Sequence, residues 1–278
     1  MPMPDATSTS EGPPPAEPPD GRKRVGVALS GGVARGPAHI GALAVLERSG
    51  IPIDYVSGTS AGAIIGVLFC AGTSMAQAQE MVVDFNWWTI ARPVWPRRGF
   101  VSFARLEQWL INALGDVTFA DLRRPFAVVT TDLDQFEPHV MRDGRVAPAV
   151  HASCAVPGFV EPVAVGDRLL GDGGVSNNLP VEAARGLGAD FVIGVDLFRP
   201  TIRRRWGPLG YGAAALENYV RRSGGGIGAA DCLICPDLTG ESYFRFHRRV
   251  ELIEIGSRAA EAQLPAIRAA LGLAEPAA

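Results

Sequence analysis

The sequence predicts an α/β fold in which helices cover both faces of a largely parallel β-sheet, and two observations support it. Short apolar segments alternate with helical patterns: "RVGVALS" (24–30) and "IDYVSG" (53–58) flank the helical "PAHIGALAVLERSG" (37–50). These strand segments are almost continuously apolar, which is typical of parallel strands that are buried on both faces. We therefore expect a three-layer α/β/α domain with a mostly parallel central sheet.

The remaining elements follow the same alternation. "AGAIIGVLFCA" at 61–71 has the length of a buried helix, and a helical pattern closes the chain from about 241 to 272. The glycine-rich segment 221–231 is predicted to be a flexible loop. Further strands are predicted at 126–133, 138–144, 168–174, 190–197 and in "CLIC" at 232–235.

Composition divides the 278-residue chain into a tail and one domain. Residues 1–23 are rich in proline and acidic residues and are expected to be disordered, and residues 24–278 form a single domain without an internal linker. A net charge of −3 gives no basis for nucleic-acid binding. No apolar run reaches the length of a membrane span, and the four cysteines are too scattered for a disulfide scaffold. The expected location is the cytoplasm, with peripheral contact at the inner membrane face left open.

Two glycine-containing motifs follow the first two strands, where each strand gives way to a helix. They are "SGGVARG" at 30–36 and "GTSAG" at 58–62. A tight strand-to-helix turn exposes its central side chain at the carboxyl end of the sheet, and Gly58 and Gly62 let the backbone bend. Ser60 is therefore placed as a nucleophile. The first motif offers consecutive N–H groups that suit a phosphate or an oxyanion.

Neither motif is specific when it is taken alone. Gly-x-Ser-x-Gly arises by chance in a chain with 33 glycines. The first motif has Val33 where the dinucleotide pattern Gly-x-Gly-x-x-Gly requires its second glycine, and a P-loop lysine is absent from the sequence. Asp54 begins the second strand, whereas a ribose-binding acid ends it. Together the motifs favour a nucleophile and an oxyanion hole, and no cofactor or metal is expected.

A serine nucleophile needs a base, and the four histidines are poor candidates. His247 is the only histidine that follows a plausible acid, but it lies in a charged helical pattern typical of a solvated face. His39 is expected to have a structural role on the helix after the first motif. Asp172 instead ends an apolar strand in "LLGDGGVSNNLP". A capped turn would also account for Asp172, but the two preceding motifs favour a base.

Four segments occur along the chain in the order "LSGGVARGPAHIGAL", "GTSAG", "ASCAVPGFVEPV" and "GDGGVSNNLP". Together they resemble the patatin-like phospholipase family, most closely its small bacterial members. The likeness runs from about residue 25 to 260, and its motif set is highly specific. The resemblance implies a patatin-like fold and the hydrolysis of acyl esters by a serine–aspartate dyad, without histidine, metal or cofactor.

Matching these motifs residue by residue implies individual roles. Ser60 would be the nucleophile and Asp172 the base, the backbone of Gly31, Gly32 and Val33 would form the oxyanion hole, and Arg35 would brace that loop. The family usually has a glycine where Val33 stands. Valine keeps the N–H donor, but its branched side chain disfavours positive φ.

An aromatic and basic segment at 84–103 suits a lipid–water interface. It interleaves three tryptophans with three arginines, and "RRRWGPLGY" at 203–211 is a second cluster of this kind. Because large aromatic side chains are mostly buried, packing of the tryptophans into the core is the favoured alternative. The interleaved residues are Trp87, Trp88, Trp95, Arg92, Arg97 and Arg98.

The cysteine pair Cys232 and Cys235 is interpreted as part of a strand. Residues i and i+3 of a strand face opposite ways and cannot share a zinc ion.

Three classes of function are therefore carried forward. The leading one is a serine acyl hydrolase that acts on lipids or similar esters. The second is a non-catalytic regulatory or adaptor protein on the same fold, for which Val33 is the only hint. The third is a nucleotide-binding Rossmann-type enzyme, which the broken glycine pattern disfavours.

Overall fold

The computed structural model describes residues 21–82, 85–198, 200, 204–241, 243 and 248–274. Most of the predicted tail 1–23 therefore lies outside the described residues. The strands of the described part are β1 Val25–Leu29, β2 Tyr55–Thr59, β3 Arg92–Pro93, β4 Val101–Ser102, β5 Phe126–Asp132, β6 Glu137–Met141, β7 Val163–Val165, β8 Arg168–Asp172, β9 Phe191–Val195 and β10 Cys232–Ile234.

The helices of the described part include six that are longer than two turns and four shorter ones. They are α1 Pro37–Arg48, α2 Ala61–Ala71, α3 Met75–Met81, α4 Trp87–Ile90, α5 Ala104–Leu114, α6 Val146–Ser153, α7 Val181–Gly186, α8 Pro208–Arg222, α9 Gly226–Ala229 and α10 Arg249–Leu271. Within the described residues, every helix is too short or too polar to cross a lipid bilayer.

The central sheet has helices on both faces, as predicted. Its order is β10-β9-β1-β2-β5-β8-β7, and β6 also pairs with β5. The strands from β10 to β5 are parallel, whereas β6 and β8 run antiparallel to β5. Successive residues of β1 enter two cores: Val27 and Leu29 pack with α1 and α2, and Ala28 packs with α7. The three-layer α/β/α architecture with a mostly parallel sheet is confirmed.

Strand β5 explains how distant parts of the chain meet. Thr130 pairs with both β6 and β8, and Val129 pairs with both β2 and β6. A strand residue has only two neighbours in a sheet, so β2 and β8 must share one side of β5, end to end. Thr59, the last residue of β2, pairs with Val129, and Asp172, the last residue of β8, pairs with the next residue, Thr130. The carboxyl ends of β2 and β8 therefore meet.

Two sequence predictions are wrong in detail. The last helix begins at Arg249 rather than near 241. The segment 221–231 is not a loop but contains the end of α8, a turn and α9. Its glycines allow close packing, because a Cβ at Gly226 would lie 1.9 Å from Leu179 O and one at Gly224 would lie 2.5 Å from the Asn177 side chain.

Helices α1 and α10 cross at a distance that only glycine allows. A Cβ at Gly41 would lie 1.9 Å from Ile253 O, and one at Gly256 would lie 2.0 Å from Ala38 O. Helix α1 begins directly after the first glycine motif. The crossing with α10 therefore fixes the helix that supports this motif.

Replacing Gly41 or Gly256 by alanine is expected to lower the free energy of unfolding by about 1–3 kcal/mol, because the added methyl group forces the helices apart. Gly212→Ala in α8 is the matched control, since nothing lies within 4 Å of its Cβ position. There the higher helix propensity of alanine should stabilise by up to about 1 kcal/mol. Urea unfolding measures all three. Equal effects at the crossing and at Gly212 would contradict the close packing.

Candidate active site

Ser60 lies in a strained turn between β2 and α2. Its φ of 53° is positive, which is uncommon for a residue other than glycine. The turn is packed so closely that both flanking glycines are needed. A Cβ at Gly62 would lie 2.2 Å from Leu29 O, and one at Gly58 would lie 2.6 Å from Gly62 O. The backbone thus makes a tight turn between strand and helix at this position, with Ser60 only 7% exposed.

A second serine, which the sequence reasoning missed, holds this turn in place. The Ser60 N–H donates to Ser153 Oγ at 2.8 Å, and the Ser153 hydroxyl donates to Val129 O at 2.6 Å. Ser153 is fully buried at the end of α6. Ser153 belongs to the segment "ASCAVPGFVEPV", and its place in that motif is the feature of the sequence that could have indicated its role.

Asp172 ends β8 as predicted, next to Ser60. Its Oδ1 accepts the Gly174 N–H at 2.7 Å, and the Ser60 side chain is near enough to affect the pKa of its carboxyl group. Burial raises the pKa of Asp172 to about 6, although the polar groups of Ser60 and Gly174 act in the opposite direction. A carboxylate in this position can accept the proton of a serine hydroxyl near neutral pH.

The first glycine motif presents two backbone donors beside Ser60. The Gly31 N–H donates to Asn178 O at 3.2 Å. Within the described residues, the N–H groups of Gly32 and Val33 have no protein acceptor. Val33 has a φ of 51°, so the positive φ that valine disfavours is present, and the donor is retained. Of the three backbone groups expected from the resemblance, those of Gly32 and Val33 are free to bind a ligand.

Asn178 links this motif to the loop after Asp172, and sequence reasoning missed it as well. Its Oδ1 would be 2.7 Å from a Cβ at Gly31 and 3.4 Å from one at Gly174. The side chain is fully buried, and its amide atoms have no hydrogen-bond partner among the described residues. Its presence in "GDGGVSNNLP" was the only signal in the sequence. Asn178 therefore fills the space between the two loops, and its Oδ1 leaves no room for a Cβ at Gly31.

Arg35 anchors the other end of the motif. It is 2% exposed, donates to Leu197 O at 3.2 Å and to Glu241 O at 2.6 Å, and stacks on the Tyr243 ring at 3.6 Å. The neighbouring Ala34 N–H donates to Tyr243 O. These contacts hold the motif against the chain between β9 and α10.

The histidines of the described chain do not hydrogen-bond to Ser60 or Asp172. His39 is fully buried, and its Nε2 donates to Ser30 O at 2.8 Å. Burial lowers the pKa of His39 to about 4, so the ring is neutral and supports the first motif from α1, a structural role as predicted. His151 contacts Glu107 at 3.1 Å, and His139 lies in β6. His247 lies outside the described residues.

Ser60 opens onto an apolar cavity of about 410 Å³. Its position at the carboxyl end of a parallel sheet is usual for ligand sites in α/β proteins, and its size is within the range of small-molecule pockets. Val33 and Cys154 also line it. The other side chains on its wall are hydrocarbon or aromatic and include Phe85, Trp87, Ile90, Phe103, Leu106 and Phe159.

The tryptophans of the aromatic segment divide into one cavity residue and two exposed ones. Trp87 is partly buried and packs 6.0 Å from the rings of Phe103 and Phe159. Trp88 is 78% exposed and Trp95 is 81% exposed. The prediction that the tryptophans pack into the core is therefore wrong for Trp88 and Trp95, because neighbouring apolar groups do not cover them.

No group of three or more potential metal ligands occurs among the residues that the structure describes. Cys232 lies in β10, as predicted, but Cys235 follows the last residue of this strand and is exposed, so the prediction of a buried strand through Cys235 is wrong. The site therefore offers a hydroxyl, a carboxylate, two backbone donors and an apolar wall. These groups suit the attack of a serine on an uncharged acyl group.

The model of the patatin-like phospholipase family matches residues 27–185, which include the elbow, both loops and Asp172. The chain is 33% identical over 181 residues to patatin-like phospholipase domain-containing protein 6 of Mus musculus, covering 62% of this chain and 13% of that protein. It is 31% identical over 181 residues to a lysophospholipase of Aspergillus fumigatus, covering 63% of this chain and 12% of that protein.

Among solved structures, VipD from Legionella pneumophila is similar, with a TM-score of 0.54 and 14% identity over 90% of this chain and 69% of that chain. At this identity the similarity concerns the fold alone. The chain spans about one eighth of the length of the two curated relatives. The family model covers more than half of the chain and includes the two glycine motifs at 30–36 and 58–62. The chain therefore belongs to the patatin-like phospholipase family.

Proposed function

We propose that the protein is a lipolytic serine acyl hydrolase that uses Ser60 and Asp172 as a catalytic dyad. The observation that carries this proposal is that the ends of β2 and β8 bring the buried Asp172 carboxyl group, whose pKa burial raises to about 6, next to the elbow serine, which lines an apolar cavity of about 410 Å³. Family membership and the lysophospholipase among the relatives support the same chemistry.

The proposed reaction proceeds in two halves. Ser60 Oγ attacks the ester carbonyl as Asp172 accepts its proton, and the N–H groups of Gly32 and Val33 stabilise the oxyanion. Asp172 then gives this proton to the leaving alcohol, and an acyl-enzyme remains. In the second half Asp172 accepts a proton from water, which attacks the acyl carbon. Return of the proton to Ser60 releases the acid.

The pKa of Asp172 decides which substrates suit this dyad. A base with a pKa of about 6 is mostly ionised at neutral pH, and its conjugate acid is strong enough to protonate an alkoxide as it leaves. An alcohol leaves more readily than an amine, so we infer that the substrates are esters. The apolar wall of the cavity would hold the acyl chain, with each buried CH2 contributing about 0.8 kcal/mol.

The exposed residues around the cavity support peripheral contact with a membrane. Between residues 85 and 100 every exposed residue is uncharged or basic, including Trp88, Trp95, Arg97 and Arg98. Tryptophan favours the membrane interface, and arginine is attracted to anionic lipids. This segment, the cavity rim, would place the cavity against an anionic membrane surface, such as the inner face of the cell membrane.

The adaptor hypothesis receives no support from Val33. Its N–H group remains without a protein acceptor in the described structure despite the strained φ. An oxyanion donor is therefore retained, and we favour the hydrolase.

Ser60→Ala and Asp172→Asn are each expected to lower kcat on p-nitrophenyl butyrate by at least about a thousandfold, with little further loss in the double variant. The two groups act as one unit, so removing either stops proton transfer. Asp143→Asn, on an exposed turn, is the matched control and should keep full activity. Circular dichroism checks the fold of each variant. A Ser60→Ala protein that retains most of its activity would show that another group is the nucleophile.

The pH profile should report the ionisation of Asp172. Only the carboxylate can accept a proton, so kcat/KM on a soluble ester should rise with pH through about 6 and level off above it. Stability should respond in the opposite sense. The folded pKa lies above the ordinary value of 3.8, so the buried charge destabilises the fold above about pH 6, and this effect disappears as pH falls towards 3.8.

Asp172→Asn should therefore stabilise the protein above pH 6, by an amount on the order of 3 kcal/mol relative to its effect near pH 3.8. Thermal unfolding of parent and variant across this range measures the difference. A variant with the same effect on stability at both ends would contradict the burial of an ionised Asp172.

Replacing Trp88 and Trp95 together by alanine is expected to weaken binding to anionic vesicles and to slow hydrolysis of lipid in those vesicles. Hydrolysis of soluble p-nitrophenyl butyrate should stay within about twofold, since neither side chain lines the cavity. The matched control replaces both by phenylalanine and keeps most of the apolar contact. Vesicle co-sedimentation gives the binding. Equal sedimentation of the parent and the alanine variant would exclude these residues from the contact.

A further inference from the structure

Helix α8 carries an apolar stripe that faces solvent. Leu209, Leu216 and Tyr219 are 79%, 65% and 68% exposed, and their spacing places them on one side of the helix with Gly212. The opposite side, which contains Gly210 and Ala214, is buried. Trp206, just before the helix, is also exposed. A surface helix normally turns its apolar side towards the core, so this outward stripe requires a partner.

The fully exposed charged residues of α8 and of the turn before it are all basic. Every exposed residue between 204 and 222 is uncharged or basic, and the basic ones are Arg204, Arg205 and Arg222. Glu217 is only partly exposed. Arg222 and Tyr219 also line a groove of about 290 Å³ with the exposed Phe136, where Glu137 is the acidic residue. An amphipathic helix with aromatic and basic residues on its outer side is typical of elements that lie in a membrane interface.

Helix α8 contacts the turn Gly173–Val175, which directly follows Asp172. Val220 would be 3.7 Å from a Cβ at Gly174, and Ser223, which follows the helix, donates to Gly174 O at 2.9 Å. Arg221 pairs with Asp196, just after β9, at 2.7 Å. These anchors lie at the carboxyl edge of the sheet, where Ser60 also lies. The helix therefore stands beside the candidate active site.

The cavity and α8 lie on different sides of this site. The cavity is bounded by residues of α2, α4 and α5. These helices share a hydrophobic core with α1 and therefore lie on the same face of the sheet as α1. Helix α8 contacts α9 and the turn Gly173–Val175, in the layer of α7. A flat surface that touches both the cavity rim and α8 would thus face the edge of the sheet that contains Ser60 and Asp172.

We propose that α8 is a membrane-docking helix that lies on an anionic lipid bilayer, on the other side of the active site from the cavity rim. Leu209, Leu216 and Tyr219 enter the interface, and Arg204 and Arg205 contact anionic head groups. Two copies of this helix face would bring arginines together in either orientation, so charge favours an anionic surface over a second copy of the chain. The docking of α8 goes beyond the proposed hydrolysis and does not depend on it.

The test measures the partition of the full chain onto two kinds of vesicle at low and high salt. One kind contains phosphatidylcholine alone, and the other contains phosphatidylcholine with phosphatidylglycerol. Arg204→Gln/Arg205→Gln should weaken binding to the anionic vesicles by about 25-fold at low salt, about fivefold for each arginine, with a smaller effect at high salt. Arg258→Gln on α10, where the side chain is exposed, is the matched control and should have no such effect.

A second variant, Leu216→Gln/Tyr219→Gln, removes apolar contact and keeps every charge. It should weaken binding to both kinds of vesicle at both salt concentrations, whereas Leu216→Phe/Tyr219→Phe should retain binding. Hydrolysis of a soluble ester by the same proteins tests the dyad separately. A parent protein without hydrolase activity would contradict the proposed function, whereas the vesicle measurements would still test the docking of α8.

Three outcomes would overturn the docking of α8. One is a parent that does not bind anionic vesicles, and another is unchanged binding in both α8 variants. The third is a parent that dimerises in light scattering and becomes monomeric in Leu216→Gln/Tyr219→Gln, which would assign this face to a second copy of the chain.

Discussion

The candidate site depends on the way that β2 and β8 share one side of β5. Parallel pairing with β2 ends at Val129, and antiparallel pairing with β8 begins at Thr130. Because the two strands approach from opposite directions, their last residues meet, and a residue more than a hundred positions away comes to lie next to Ser60. A simple parallel sheet would not produce this meeting. The change of strand direction at β5 is therefore what brings a carboxylate to the elbow.

The candidate site contains strained backbone and a buried ionisable group, both of which lower the stability of the fold. Ser60 and Val33 both have positive φ, and Asp172 is a buried carboxyl group whose pKa burial raises to about 6. Such features persist only where surrounding contacts determine them. Here Ser153 fixes the elbow and Arg35 fixes the glycine motif. The strained backbone and the buried carboxyl group of the proposed site thus lower the free energy of unfolding. Hydrogen bonds from buried residues outside the proposed dyad, such as Ser153 and Arg35, act in the opposite direction.

Local patterns in the sequence predicted much of this arrangement. The apolar strands, the helix Ala61–Ala71, the elbow at Ser60 and the strand end at Asp172 each follow from residues close together in the chain. The prediction failed where the outcome depends on distant partners. Gly224 and Gly226 resemble loop residues until Asn177 and Leu179 pack against them. The contacts of Ser153 and Asn178 with the site depend on residues far away in the chain. Burial of Trp88 and Trp95 follows from the usual burial of large aromatic side chains, which does not hold for these two exposed residues.

The most direct test of the dyad is the reaction of the full chain with a fluorophosphonate, followed by mass spectrometry of the modified peptide. An activated serine displaces fluoride from phosphorus and becomes covalently labelled. We expect one adduct on Ser60, a labelling rate that rises with pH through about 6, and a rate lower by orders of magnitude in Asp172→Asn. Labelling at another residue, or an unchanged rate in Asp172→Asn, would contradict the dyad.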